Sequence, residues 1–241
     1  MAELEQSEYN DNDLQGTMDI QAANEAHLAC VLLLDTSSSM SGDPINSLNK
    51  AVNAFKEQTS MDELAKKRVD ICIIEFNDTA RVVQEFTPIS QLEPVNLTAR
   101  GCTSMGAGIN LAIDKVKERN KMYASYGTPV YRPWIFMITD GEPTDDITSA
   151  RERLIAEENK GTSGYGKLKF WAVGVPGYHR ATITSLTKRC IELNGNGEKQ
   201  FEGIFNWLSE SMVTISVSNV NMDNQKLSDL PPGATPVPSD W

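Results

Sequence analysis

The sequence predicts an α/β fold: a doubly wound, mostly parallel six-stranded sheet with one antiparallel edge strand and helices on both faces. Three observations carry this. Two long aliphatic runs, Val31–Leu34 and Trp134–Ile138, read as strands buried on both faces, as in parallel sheets. Segments with helical periodicity alternate with the strands, the pattern of βα units. The turn signal Asn77-Asp78 sits between two strand-like segments, which adds a hairpin.

The elements follow in order. Residues 1–26 are acidic, lack apolar periodicity and read as a mobile leader. The domain proper spans 27–218. Leu28–Asp35 is the first strand. Pro44–Gln58 is a helix with Asp43 as N-cap and an apolar stripe of Ile45, Leu48, Ala51, Val52 and Phe55. Arg68–Phe76 is the second strand, and Ala80–Phe86 returns as the antiparallel edge. Met105–Tyr123 is a long helix entered from a glycine-rich loop, with Ile109, Ala112, Ile113 and Val116 facing inward. The strand Trp134–Thr139 precedes a helix over 148–160 and a flexible turn at Gly161–Gly166. Phe170–Val175 is a strand, Ala181–Leu186 a short helix, Cys190–Leu193 the last strand and 200–217 the last helix. Residues 219–241 hold four of the eleven prolines and read as an extended tail in which Trp241 could anchor.

Composition narrows the function. The 241 residues, 40% hydrophobic, suffice for one large core. Thirty-three acids against 22 bases give a formal charge of −11. That balance argues against nucleic acid and anionic membranes, both of which need basic surface. No run of about 18 apolar residues exists to span a membrane. With Met1 taken as the natural start, no secretory signal is present and the expectation is a cytoplasmic protein. Cys30, Cys72, Cys102 and Cys190 include no CxxC pair, so neither zinc nor a disulfide is expected; Cys30 and Cys72 read as small buried hydrophobes.

The chemistry gathers where strands end. Asp35, Ser37 and Ser39 follow the first strand, and Asp140 follows Thr139 at the end of another. Ligands of open α/β sheets bind beyond the carboxyl ends of the strands. Two carboxylates meeting there repel, and a cation relieves them. Thr103, in the loop Gly101–Gly108, is a further hydroxyl donor. The donors are all hard oxygens, suited to Mg²⁺, with Mn²⁺ or Ca²⁺ as alternatives.

Asp-x-Ser-x-Ser, the later Thr and the Thr-Asp-Gly of Asp140 together resemble the von Willebrand factor A family and its metal-ion-dependent adhesion site. The pieces lie about 65 and 37 residues apart, as βα repeats allow. Leu33-Leu34-Asp35-Thr36-Ser37-Ser38-Ser39-Met40-Ser41-Gly42-Asp43-Pro44-Ile45, Glu75-Phe76-Asn77, Arg132-Pro133-Trp134, Thr139–Asp145 and Phe205–Ser209 are similar to the bacterial tellurium-resistance TerY-type branch. The acidic leader and a longer, more polar tail depart from it. The resemblance implies the strand order 3-2-1-4-5-6 of a Rossmann-like sheet. It implies Ser37, Ser39 and Thr103 as direct ligands, with Asp35 and Asp140 direct or water-mediated. It also implies a partner protein whose Asp or Glu completes the octahedron. TerY-type relatives imply a tellurite or stress-response setting beside kinase-like or phosphatase-like proteins.

Other readings compete. Ser37 and Ser39 could merely cap the following helix. Glu142, Asp145 and Asp146 could hold a second cation, though a solvated acidic loop explains them more simply. Cys102 beside Thr103 could be a redox switch. His27 and His179 accompany no nucleophile. A phosphoaspartyl phosphatase of the haloacid dehalogenase type would need an acid where Ser37 stands and a Lys between Trp134 and Glu158, where there is none. A structural module with a vestigial site is the third alternative. The expectation is a binding module and not an enzyme.

Overall fold

The computed structural model describes residues 25–159, 167–220 and 227–238. The leader up to residue 24, the turn at Gly161–Gly166 and Trp241 lie outside them. Strand β1 is Leu28–Asp35, followed by a single 3-10 turn at Ser38–Met40 and helix α1, Asp43–Thr59. Then come α2 (Glu63–Arg68), β2 (Val69–Phe76), β3 (Ala80–Pro88) and α3 (Met105–Ser125). The chain continues through β4 (Trp134–Thr139), α4 (Thr148–Asn159), β5 (Lys169–Gly174) and α5 (Arg180–Leu186). It closes with β6 (Cys190–Leu193), α6 (Glu198–Ser216) and β7 (Ala234–Val237).

The sheet order is β3-β2-β1-β4-β5-β6-β7. Strands β2, β1, β4, β5 and β6 run parallel, and β3 pairs antiparallel with β2. This is the expected doubly wound α/β fold, extended by one strand. The tail adds β7, antiparallel on β6 with Cys190 opposite Val237, so both edges are antiparallel. Its pattern is hard to read because Pro236 interrupts it. A proline is tolerated on an edge strand, where its missing N–H faces away from the ladder. Ala234 and Val237 are buried there.

β1 shows why the aliphatic run is needed. Cys30, Leu32 and Leu34 enter one core layer with α1 and α6, while Val31 and Leu33 enter the other with α3, α4 and α5. Alternate side chains point to opposite faces, and both faces are covered. The predicted stripe of α1 is buried throughout, although Gly42 with φ 84° takes the N-cap position and Asp43 stands in the first turn. Helix α2 escapes a periodicity search because it has six residues; Asp62 starts it by accepting from the amides of Leu64 and Ala65 at 3.0 and 2.8 Å. Among the described residues Cys30, Cys72 and Cys190 are buried and Cys102 is exposed, all four as free thiols.

Candidate metal centre

Strands β1 and β4 are neighbours in parallel register, Leu34 beside Ile138. Their ends therefore bring Asp35 and Asp140 to one edge. The Asp35 carboxylate is fully buried. It accepts from the Ser37 amide at 2.8 Å and from the Thr139 hydroxyl at 2.5 Å. Thr139, which the sequence reading did not single out, thus anchors the acid from the adjacent strand.

From Asp35 a chain of oxygens runs outward. The hydroxyls of Ser37 and Ser39 are 2.9 Å apart, and Ser39 donates to Asp140 Oδ1 at 2.6 Å. Ser37 is buried and Ser39 exposed, so the cluster opens to solvent at Ser39. Thr103 joins from the loop that precedes α3. A Cβ placed on Gly141 would stand 3.2 Å from Thr103 Oγ1 and 3.6 Å from Asp35 Oδ2. Both oxygens therefore face the space that the missing side chain of Gly141 leaves. Among the described residues the Thr103 hydroxyl makes no hydrogen bond, although the residue is only 6% exposed. All five expected residues gather at one edge.

The loops are stitched together by their backbones. Ser38 donates to Gly101 O at 3.0 Å and Arg100 to Thr36 O at 2.8 Å, joining the first loop to the loop that carries Thr103. Ser104 donates to Asn77 O at 2.7 Å, and Cys102 donates to the Asp78 carboxylate at 2.8 Å. Gly101 has φ 69°, and a Cβ there would lie 2.3 Å from Asp78 Oδ2. Only glycine permits both the dihedral and the approach.

The electrostatics differ from the expectation. Burial pushes the Asp35 carboxyl up to about 6, against the opposing hydrogen bonds from Ser37 and Thr139. The charge on Asp140 contributes least among the causes. Asp140 is also raised, again by burial, with the Ser39 hydrogen bond opposing. Desolvation, more than mutual repulsion, makes this edge seek a positive charge.

Ser37 and Ser39 do not cap α1, whose N-cap is Gly42 without a side-chain bond. Asp145 and Asp146 are engaged elsewhere: Asp145 accepts from the Gly106 and Ala107 amides, and Asp146 from Thr148. Glu142 is exposed. Among the described residues no group of three or more His, Cys, Asp and Glu assembles into a metal-ligating cluster. Any cation at this edge must therefore rest largely on hydroxyls. His179 lies exposed at the start of α5, whereas His27 is buried against Asp70 at the opposite end of the strands.

A family profile for the von Willebrand factor type A domain matches residues 30–187, well over half of the chain. Three solved structures are similar in fold. The PilB minor pilin of Streptococcus sanguinis is 16% identical with a TM-score of 0.54, the match covering 78% of this chain and 62% of the pilin. A von Willebrand factor type A protein from Catenulispora acidiphila is 15% identical with a TM-score of 0.52, covering 78% of this chain and 43% of the other. Proximal thread matrix protein 1 of the mussel byssus, in a form with a zinc-occupied MIDAS motif, is 14% identical with a TM-score of 0.52. That match covers 77% of this chain and 48% of the mussel protein. This chain thus spans less than two thirds of each of them. No curated protein matches the chain in sequence.

Proposed function

The chain belongs to the von Willebrand factor type A domain family, and from that premise we propose that it is a divalent-cation-dependent protein-binding module whose adhesion site is built from Asp35, Ser37, Ser39, Thr103 and Asp140. The observation that carries this is the oxygen spacing. Octahedral Mg²⁺ with bonds of 2.0–2.1 Å sets adjacent ligand oxygens about 2.9 Å apart. Ser37 and Ser39 stand at 2.9 Å, with Asp140 Oδ1 2.6 Å from Ser39 and the spare Thr103 hydroxyl facing the same edge.

The residues present fit such an ion. Their donors are carboxylates and hydroxyls, without thiolate or imidazole, which favours Mg²⁺ or Mn²⁺ over zinc. The mussel relative with zinc in its motif makes zinc the control metal. Ser37, Ser39 and Thr103 would bind directly, and Asp35 and Asp140 would bind or orient bound water. Hydroxyls bring no charge, so the ion keeps affinity for an outside anion. The exposed position of Ser39 leaves that approach open. A partner's Asp or Glu is the group that fits. Among the described residues the position two after Asp35, where a phosphoaspartyl enzyme needs a general acid, holds Ser37, which supports binding over hydrolysis.

We further infer, from the motif resemblance alone, a cytoplasmic role in a bacterial tellurite or stress response beside kinase-like or phosphatase-like proteins. Among the described residues no helix is long and apolar enough to cross a membrane. The test is capture of partners by immobilised protein in Mg²⁺ and in EDTA, with Thr103→Ala alongside. Retention in Mg²⁺ that is lost in EDTA and in the variant is expected. Cation-independent retention contradicts adhesion through the ion.

A further inference from the structure

Thr103 needs an explanation of its own, because its loop has no secondary structure to hold it. Its backbone is held instead by the loop after β4. The Thr103 amide donates to Thr144 Oγ1 at 3.1 Å, and the Thr144 amide donates back to Thr103 O at 2.9 Å. The Thr103 carbonyl also accepts from Met105 at 2.8 Å. Every polar backbone group of Thr103 is thereby fixed, and only the hydroxyl is left over.

One residue further, Asp145 takes the start of α3. Its Oδ1 accepts from the Gly106 amide at 3.0 Å and its Oδ2 from the Ala107 amide at 2.9 Å. A carboxylate at a helix N-terminus satisfies donors that have no partner within the helix. The approach is close: a Cβ on Gly106 would lie 2.7 Å from Asp146 O and 3.0 Å from Asp145 Oδ2. Both oxygens of Asp145 are thus directed at the start of α3 and away from the edge chain of Ser37, Ser39 and Asp140.

We propose that Thr144 and Asp145 are positioning residues for the cation site: they fix the Thr103 hydroxyl to the loop that carries Asp140 without touching the ion. Two ligand-bearing loops, otherwise joined only through the first loop, are thereby linked directly. The inference rests on the site proposed above and adds two residues that would tune its affinity. Partners of this kind orient the ligands of metal sites and change affinity about 10–100-fold when removed.

The test is a Mn²⁺ titration followed by electron paramagnetic resonance on metal-stripped protein, paired with melting temperatures of the stripped forms. Thr144→Val removes the acceptor for the Thr103 amide at nearly constant shape. Asp145→Asn keeps the shape but can accept from only one of the two amides. Each is expected to weaken Mn²⁺ about tenfold or more, with the melting temperature of the stripped protein within about 3 °C of wild type. Thr144→Ser, which keeps the hydroxyl, should restore wild-type affinity; a purely structural role would show no such rescue of binding. The proposal is overturned if both variants bind Mn²⁺ like wild type, or if only the melting temperature falls. Wild-type protein that takes up no Mn²⁺ removes the site itself and this proposal with it, an outcome distinct from loss confined to the variants.

Discussion

The hydroxyl of Ser39 donates a 2.6 Å hydrogen bond to Asp140 Oδ1, across 101 positions of sequence. It is the bond that closes the first loop onto the loop after β4. A cation between these loops would replace it, since ion and proton compete for the same oxygens. Ser39→Ala is therefore expected to abolish most Mg²⁺-induced thermal stabilisation. Because Ser39 is exposed, the stripped protein should change by no more than about 1 kcal/mol, the net value of one such bond. Melting curves with and without Mg²⁺ check both parts.

Asp35 gives a pH signature. In the stripped fold its carboxyl is raised to about 6 by burial, against roughly 3.9 in an unfolded chain. An acid raised on folding contributes stability that is full below the unfolded value and is lost as pH rises through the folded one. Between about pH 3 and 7, wild type should therefore lose roughly 3 kcal/mol relative to Asp35→Asn, about two thirds of it between pH 4 and 6. Urea unfolding of both stripped proteins across that range measures the gap. Saturating Mg²⁺ should cancel the loss, since a bound cation favours the ionised form. A gap that does not move with pH contradicts the assignment.

The far end of the strands holds a separate charged cluster. Asp70 is fully buried, which alone would raise it, yet Arg119 and His27 hold its carboxyl below the usual range. Tyr123 donates to the same oxygen. Asp70→Asn leaves Arg119 buried without its counter-charge and should cost about 3–5 kcal/mol. Magnesium affinity should not change, because Asp70 lies near the start of β2 whereas the site lies beyond the opposite strand ends. Chemical denaturation and a Mg²⁺ titration of the variant separate the two effects.

Strand β7 should matter to the fold. Val237 is buried against β6, and Ser228 O accepts from the Trp207 indole at 3.0 Å. Truncation after Asp229 uncovers the β6 edge and removes Val237, whose burial alone is worth roughly 2 kcal/mol. A lower melting temperature is expected. Unchanged melting would mean that the strand contributes nothing to stability.

Much of the architecture is legible because buried parallel strands must be apolar throughout, as Val31–Leu34 and Trp134–Ile138 are. The meeting of Asp35 and Asp140 is legible for a related reason, since an acid at the end of such a strand has to lie at the sheet edge; Ser37, Ser39 and Thr103 are identified as ligands through the motif resemblance. Helix α2 is too short to show a period, and β7 carries a proline at Pro236. Thr139, Thr144 and Asp145 escape because their roles depend on partners 104, 41 and 39 positions away. Nor does sequence reveal that burial of Asp35, ahead of its repulsion with Asp140, sets the charge balance; that depends on the loops that cover it.

The central claim is one divalent ion at Asp35, Ser37, Ser39, Thr103 and Asp140. Calorimetric titration of Mg²⁺ into metal-stripped protein tests it most directly, with the Ser37→Ala/Ser39→Ala double variant beside wild type. The account predicts a single saturable site in wild type and none in the double variant. Unsaturable heats in wild type, or a site that survives loss of both hydroxyls, would contradict it.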